Sequence, residues 1–444
     1  MLYQATTLLI AVVLTCTANY VPGTHFQIAT SHPSFVTLMP NGTTWNLLIS
    51  RFNGFPFSKD YISIVRDIGS SEQEKHVEDI SSSLHWPNEP GNIPERVFNR
   101  KSMIIIPSGF LVPTKGDGAL TIYDLNDEEP YTGYTVTSDS EGEWFYHRAI
   151  WLDMDGDGRD DIVTCRAQKP IFGDESGEML WFKQPAGEEP WKGTWKETIL
   201  QKGSNSPDTF LIPVELTEGG ATVQTIMTAG FFSKSLDIWW RKDEQKQWTS
   251  NNMNKRVIDD TEGATFDLLY ADLNNDNIKD LLITYNKPAN GTVFVYEFAG
   301  DPRSSKIEKN LIFSGLDPAK SGVGKGAPGG VKLAWPNTSN KTARPDIILS
   351  GDDNGRLYLL RSLPAANWTY SNFVLLDSSP GTLGAVAVGD IDNDNFTEII
   401  APSYDDGIVS ILTYNPSKIN QHGKHTHHSR NFLQKLIDWL KSIF

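Results

Sequence analysis

The stretch that decides the fold is Asp153-Met-Asp-Gly-Asp-Gly-Arg-Asp-Asp161, in which acidic side chains occupy positions 1, 3, 5 and 9. Short carboxylates at alternate positions of a tight loop converge on one point, and a cluster of oxygen ligands suits a hard cation, calcium before magnesium. Gly158, at position 6, allows the backbone to turn sharply. The stretch therefore predicts a calcium-binding loop.

The same spacing of polar side chains returns twice further along the chain. Asn277 and Asn395 replace the glycine at position 6, and asparagine is the next best residue for a left-handed turn. Three structural calcium ions are therefore expected. The candidate metal ligands are the residues at positions 1, 3, 5, 7 and 9 of each loop. They are Asp153, Asp155, Asp157, Arg159 and Asp161; Asp272, Asn274, Asp276, Ile278 and Asp280; and Asp390, Asp392, Asp394, Phe396 and Glu398.

The EF-hand is the main alternative for such a loop, but it needs a bidentate Glu at position 12 and a helix on each side. Position 12 is Thr164, Ile283 or Ala401, and each loop runs into a short aliphatic or β-branched stretch typical of a strand. Each loop is therefore predicted to join two strands of a hairpin. The three loops resemble the calcium loops of FG-GAP repeats, also called VCBS repeats, which build the β-propeller of integrin alpha subunits. The resemblance implies a propeller.

Internal repetition supports a propeller, because about 400 residues exceed one ordinary hydrophobic core. A strand, a turn and an aromatic-rich strand recur, with the second strand starting near Tyr61, Gly118, Glu178, Ser235, Thr292, Gly355 and Gly407. One earlier and one later strand in each unit give four strands per blade. The prediction is an all-β fold, a seven-bladed β-propeller of four-stranded antiparallel blades over residues 19–416, in which the segment 25–30 completes the last blade.

The two ends of the chain differ from the repeats. Residues 1–18 hold a short apolar run and small residues that suit cleavage, so they are predicted to be a secretory signal. No later apolar run is long enough to span a membrane, so no transmembrane segment is expected. The exported chain then retains only Cys165, which is expected to be a buried free thiol.

Beyond the repeats, residues 417–430 are predicted to be a His-rich linker, and residues 431–444 a short C-terminal amphipathic helix. The helix would pack on the propeller, lie on a membrane surface or contact a partner. The clustered histidines could also hold zinc or copper, although a solvated linker is the simpler interpretation.

Composition narrows the range of partners. The chain has 39 basic and 55 acidic residues, and a net charge of −16 argues against nucleic acid. Glycosylation is expected at the sequons of Asn41, Asn290, Asn337, Asn340 and Asn367, because in an exported chain most sequons mark surface loops. Asn395 also begins a sequon, but a glycan there would crowd the metal loop.

The opposite face of the disc is predicted to meet the ligand. Long aromatic-bearing turns in the first three blades emerge there, and exposed aromatic residues on long loops of a rigid scaffold are typical of recognition sites. The ligand-face candidates are Phe55, Phe57, Phe110, Lys115 and Phe172. In integrin alpha subunits, which this chain resembles, the corresponding face meets the ligand. The alternative is that these rings pack beneath their own turns.

No catalytic residues are assigned, because the sequence contains neither Gly-x-Ser-x-Gly nor His-Glu-x-x-His and its histidines outside the tail are scattered. The function expected from the sequence is that of a secreted, calcium-binding recognition or adhesion module for an extracellular protein or glycan. Two alternatives remain open: a secreted carbohydrate-active enzyme of the lyase or dehydratase type on the same propeller, and a structural matrix protein.

Overall fold

The computed structural model describes residues 21–71, 74–137, 144–169, 174–322, 324–363 and 367–419. The predicted signal segment, residues 420–430 of the His-rich linker, the helix at 431–444 and Phe172 lie outside these ranges. Within them, no helix is long and apolar enough to cross a membrane.

The described residues form seven antiparallel sheets of four strands each, as the repeat predicts. Blades one to six each use four consecutive strands, and the first strand of the chain joins the last three in blade seven. The all-β seven-bladed propeller is therefore confirmed. The short helix α1 (Glu95–Phe98) and a 3-10 turn at Pro190–Lys192 are the only helical elements in the described ranges.

The strands of the first four blades follow in chain order. They are β2 (Pro33–Asn41), β3 (Thr44–Arg51), β4 (Tyr61–Val65) and β5 (Glu78–Ser81); β6 (Gly91–Asn92), β7 (Met103–Pro107), β8 (Leu120–Asp124) and β9 (Gly133–Thr135); β10 (Phe145–Leu152), β11 (Asp161–Gln168), β12 (Ser176–Lys183) and β13 (Lys196–Gly203); and β14 (Phe210–Glu218), β15 (Ala221–Ala229), β16 (Leu236–Arg241) and β17 (Met253–Asp259).

The remaining blades continue the pattern. Their strands are β18 (Thr265–Ala271), β19 (Asp280–Tyr285), β20 (Gly291–Phe298) and β21 (Ile307–Leu316); β22 (Val331–Ala334), β23 (Asp346–Ser350), β24 (Arg356–Ser362) and β25 (Tyr370–Asp377); and β26 (Ala387–Gly389), β27 (Glu398–Ser403), β28 (Ile408–Thr413) and β1 (Gly23–Ala29).

Strand burial depends on the position of the strand in its blade. The second and third strands of each blade are covered on both sides by neighbouring sheets and are mostly buried; every residue of β7 and β8 is buried. The outer strands are covered on one side only, and in β17 exposed positions alternate with more buried ones.

Closure of the ring joins the two ends of the chain. β1 pairs antiparallel with β28, and Ile28 lies opposite Val409. The prediction that the N-terminal segment completes the last blade is confirmed. Blade seven packs in turn on blade one, where Ile49 and Ile400 belong to one buried apolar cluster. Because the ring closes, β28 has no open edge for another chain to pair with.

The antiparallel order defines two faces of the disc. The loops between first and second strands emerge on one side, which we call the loop face. The turns between second and third strands and the crossings between blades emerge on the other side, which we call the turn face. Cys165, in the second strand of blade three, is fully buried as a free thiol, as predicted.

Candidate metal loops and channel cavity

The loop of blade three folds around its own first acid. Asp153 accepts hydrogen bonds from the backbone N–H groups of Gly156 and Gly158, both at 2.8 Å, and both glycines have positive φ. The last acid, Asp161, accepts from Met154 N at 3.0 Å and from Gln184 N at 2.8 Å. The side chains at positions 1 and 9 therefore fix the turn and face its interior.

The loops of blades five and seven repeat this geometry. Asp272 accepts from the backbone N–H groups of Asn275 and Asn277, and Asp390 accepts from that of Asn395 at 2.9 Å. Both loops have asparagines with positive φ at the turning positions, as the sequence predicts. At position 7 the N–H groups of Arg159, Ile278 and Phe396 each donate to the carboxylate of position 5.

The carboxylates of the loops in blades three and seven converge as a cation site requires. Asp153, Asp155 and Asp161 each bring an oxygen within 4.8 Å of the others, and so do Asp390, Asp392 and Glu398. In blade five Asn274 replaces the acid at position 3.

Each loop also contains a buried carboxylate oxygen with no hydrogen-bond partner in the described part of the chain: Asp155 Oδ1, Asp280 Oδ1 and Asp392 Oδ1. A buried, unpaired carboxylate oxygen is costly, and a hard cation would satisfy it. The residues present therefore fit calcium.

The pKa values of the carboxylates at position 9 also favour a bound cation. Burial raises the pKa of Asp161 to about 6, of Asp280 to about 7 and of Glu398 to about 8, and the other loop carboxylates push in the same direction. Hydrogen bonds from backbone N–H groups only partly offset these effects. A divalent cation would favour the ionised form of all three groups.

The three loops differ in the charged side chains that neighbouring segments place beside them. Lys183 Nζ contacts Asp155 and lies 2.9 Å from Asp157 Oδ2, and Lys418 Nζ lies 2.6 Å from both Asp392 Oδ2 and Asp394 Oδ2. In blade five the carboxylate of Glu297 lies beside the loop instead, 3.4 Å from Asn274 Nδ2.

The ligand-face candidates have different environments on the turn face. Phe55 and Phe57 are exposed, at 41% and 87%, and Phe57 has a φ of 62°, which is unusual for an aromatic residue. Phe110 is half-buried.

Lys115 was expected to face the ligand, but it is only 1% exposed. Its ammonium lies 2.6 and 2.7 Å from the two oxygens of buried Asp60 and 2.8 Å from Asn53 O. It is a structural residue that joins the turns of blades one and two. The sequence showed a lysine on a long turn, but not the buried acid that pairs with it.

A closed series of aromatic contacts lies on the turn face, and we call it the aromatic circuit. Neighbouring ring centroids in it are 4.0 to 6.3 Å apart. Its members in order are Phe35, Phe52, Trp86, Phe110, Phe145, Phe232, Phe231, Phe266, Phe210 and His147, which returns to Phe35. Trp86 is stacked between Phe52 and Phe110, so both faces of its indole are covered. Of the circuit, only Phe110 was a candidate from the sequence.

A cavity of about 320 Å³ lies in the central channel. Its walls come from the first strands of blades one and three to seven, from Trp45 near the start of β3 and from crossings between blades, so it extends along the channel from the turn face towards the loop face. Three rings of the aromatic circuit line it: Phe35, Phe210 and Phe266. The charged lining residues are Glu89, Arg148, Asp267 and Lys332.

Arg148 is the centre of the charged group. Its Nε donates to Glu89 Oε2 at 2.7 Å, its Nη2 donates to Asp267 Oδ1 at 2.9 Å, and its guanidinium lies over the Phe210 ring. Within the described residues Lys332 forms no ion pair, although its charge acts on Asp267. Sequence reasoning missed these residues because no motif links them; the available signal was a charged residue inside each of three inner strands.

Burial and charge set the protonation of this group. Burial alone would raise the pKa of Asp267, but Arg148, Lys332 and the N–H of Val331 outweigh it and lower the pKa. Burial opposes the charge of Arg148, but Glu89 and Asp267 outweigh it and raise the pKa of Arg148. Burial lowers the pKa of His147 to about 4, so its imidazole is neutral at pH 7.

No protein-family model matches this sequence, and no curated protein matches it. Among solved structures, the Penicillium chrysogenum alpha-L-arabinanase complexed with arabinobiose is similar at 11% identity. The alignment covers 88% of this chain and 98% of that one, with a TM-score of 0.40. At that score the likeness carries no argument about function.

Proposed function

We propose that this protein is an exported, calcium-stabilised β-propeller that binds a carbohydrate in the channel cavity. The observation that carries the proposal is the cavity itself, which combines aromatic rings with charged hydrogen-bonding groups in about 320 Å³. Small-molecule sites begin at roughly 300 Å³ and have this mixture of linings. A protein partner would need roughly 800 Å² of its surface in contact, which a recess of this size does not provide.

The charges favour a neutral, hydroxyl-rich ligand. The two carboxylates of Glu89 and Asp267 are balanced by the two cations of Arg148 and Lys332. Hydroxyl groups can donate to the first pair and accept from the second without adding net charge. An apolar face of a sugar ring could pack against Phe35 or Phe266, which are both partly exposed.

Calcium would stabilise the scaffold that holds this cavity. The unpaired buried oxygens of the loops and their resemblance to FG-GAP calcium loops support this role. If a loop binds calcium at roughly 10 µM and the ion is present at about 1 mM, each occupied loop contributes ~2.7 kcal/mol to the free energy of unfolding.

Binding of the mature chain to a glycan array in calcium tests the proposal. We expect selective binding that is lost in the cavity variants Lys332→Met and Glu89→Gln. Lys246→Met is the matched control, because Lys246 is 73% exposed and forms only a local ion pair with Asp243. Absence of glycan binding, or equal binding by the cavity variants, would contradict the proposal.

A second candidate function is a carbohydrate-active enzyme on the same ligand. It is favoured by the contact of Glu89 and Asp267 with one guanidinium inside the cavity. Asp267, with its lowered pKa, would be ionised at neutral pH and could stabilise developing positive charge, and Arg148 could stabilise developing negative charge.

Turnover distinguishes the two functions. An enzyme would convert an array-positive glycan to shorter or unsaturated products, and Asp267→Asn would stop conversion while retaining binding. A recognition protein would return the glycan unchanged. Adhesion to a protein through exposed Phe55 and Phe57 remains a prediction from the sequence.

A further inference from the structure

We infer that the three candidate metal loops differ in their affinity for calcium. The loop of blade five is the tight site, and the loops of blades three and seven are weaker sites, because in each of them a lysine of the chain competes with the ion. The inference rests on the calcium part of the proposed function. It is independent of the ligand in the channel.

The competing lysines contact the same positions in both weak loops. Lys183 ends β12 and contacts Asp155 and Asp157, at positions 3 and 5 of its loop. Lys418 follows β28 and contacts Asp392 and Asp394, again at positions 3 and 5. A calcium ion needs these carboxylates, so it must displace an ammonium ion or bind beside it.

Blade five has the opposite charge at this place. In blade three Ile162 pairs with Phe182, which puts Lys183 across from Asp161; in blade five Leu281 pairs with Tyr296, which puts Glu297 across from Asp280. Glu297 therefore occupies the register position of Lys183. Its Oε2 accepts from Trp368 Nε1 at 2.7 Å, which fixes the carboxylate beside the loop.

Arg344 also reaches this loop, but through the backbone, since its Nε donates to Leu273 O at 2.8 Å. Asp280 is fully buried, and its Oδ1 has no hydrogen-bond partner among the described residues. Replacing a nearby ammonium by a carboxylate changes the field at the ion by two charges. At these separations we expect at least about a tenfold difference in dissociation constant between blade five and the other loops.

Calorimetric titration of calcium into the chelator-treated full chain tests the ranking. We expect one tight site and two weaker ones. Glu297→Gln keeps the shape and the acceptor for Trp368, and it should weaken the tight site about tenfold. Lys183→Met and Lys418→Met should each tighten one weak site, whereas Lys246→Met should change none.

Terbium luminescence assigns the tight site to its blade. The indole of Trp368 lies next to Glu297, so excitation of tryptophan should sensitise the first equivalent of Tb³⁺, and Trp368→Phe should remove most of that emission.

The ranking would be overturned, with calcium binding left intact, by three sites of equal affinity. It would also be overturned if Glu297→Gln did not weaken the tightest calcium site and Trp368→Phe did not reduce the emission of the first equivalent of Tb³⁺. No calcium binding at all would overturn both the ranking and the calcium role.

Discussion

His147 is a buried histidine near the channel cavity. Its ring lies in the aromatic circuit, 4.3 Å from that of Phe210, and its Nδ1 is buried without a hydrogen-bond partner in the described part of the chain. The charges that act on it are those of Glu89 and Asp267, which raise its pKa, and of Arg148, which lowers it; burial dominates and lowers the pKa to about 4.

The pH dependence of stability should follow from this shift. The unfolded chain binds a proton at His147 near pH 6.5, but the folded chain does so only near pH 4. This contribution to stability is therefore complete above pH 6.5 and falls by up to ~3 kcal/mol as the pH drops to about 4. Denaturant unfolding of the wild type and of His147→Phe between pH 7.5 and 4 measures it. The two curves should diverge below pH 6.5; parallel curves would show that His147 is not responsible.

Lys115 and Asp60 form the second residue-scale constraint, and they hold the turns that carry Phe52, Trp86 and Phe110. Asp60 also accepts from the backbone N–H groups of Asn53 and Trp86. Lys115→Met should lower the free energy of unfolding by about 3–5 kcal/mol, because it leaves a buried carboxylate without its cation. The double variant Lys115→Met with Asp60→Asn should recover part of that loss. Equal losses in the two variants would show that the charge left unpaired is not the cause.

At the scale of the element, the candidate metal loops should make the stability of the fold depend on calcium. Asp392→Ala removes one ligand and the buried oxygen without a partner in blade seven. We expect a lower melting temperature than wild type in millimolar calcium and a much smaller difference in a chelator, because only the calcium-bound state loses the ligand. Scanning calorimetry in both buffers measures this. A melt in calcium identical to that of the wild type would exclude Asp392 as a ligand.

Buried strands were the elements best predicted from the sequence. The third strands start within about two residues of the predicted places, for example β12 at Ser176 and β24 at Arg356, because long apolar runs report burial between sheets directly. Short edge elements were not predicted. β6 has two residues and α1 four, which is too short for any periodicity to register.

At the scale of the molecule, ring closure creates a site that no local pattern reveals. Arg148 lies 59 residues from Glu89 and 119 from Asp267, yet it contacts both across the channel. The turn geometry of the three acidic loops could be predicted because all the candidate ligands of a loop are within nine consecutive positions. The cavity could not, because its lining comes from the first strands of six blades and from crossings between blades.

The position of a bound glycan is the most direct test of the proposed function. A crystal structure of the full chain with the best array ligand should show a sugar ring in the channel, against Phe35 or Phe266, with hydroxyl groups hydrogen-bonded to Arg148 or Glu89. A glycan bound only at the exposed turn around Phe55 and Phe57, with the channel cavity holding water alone, would contradict it.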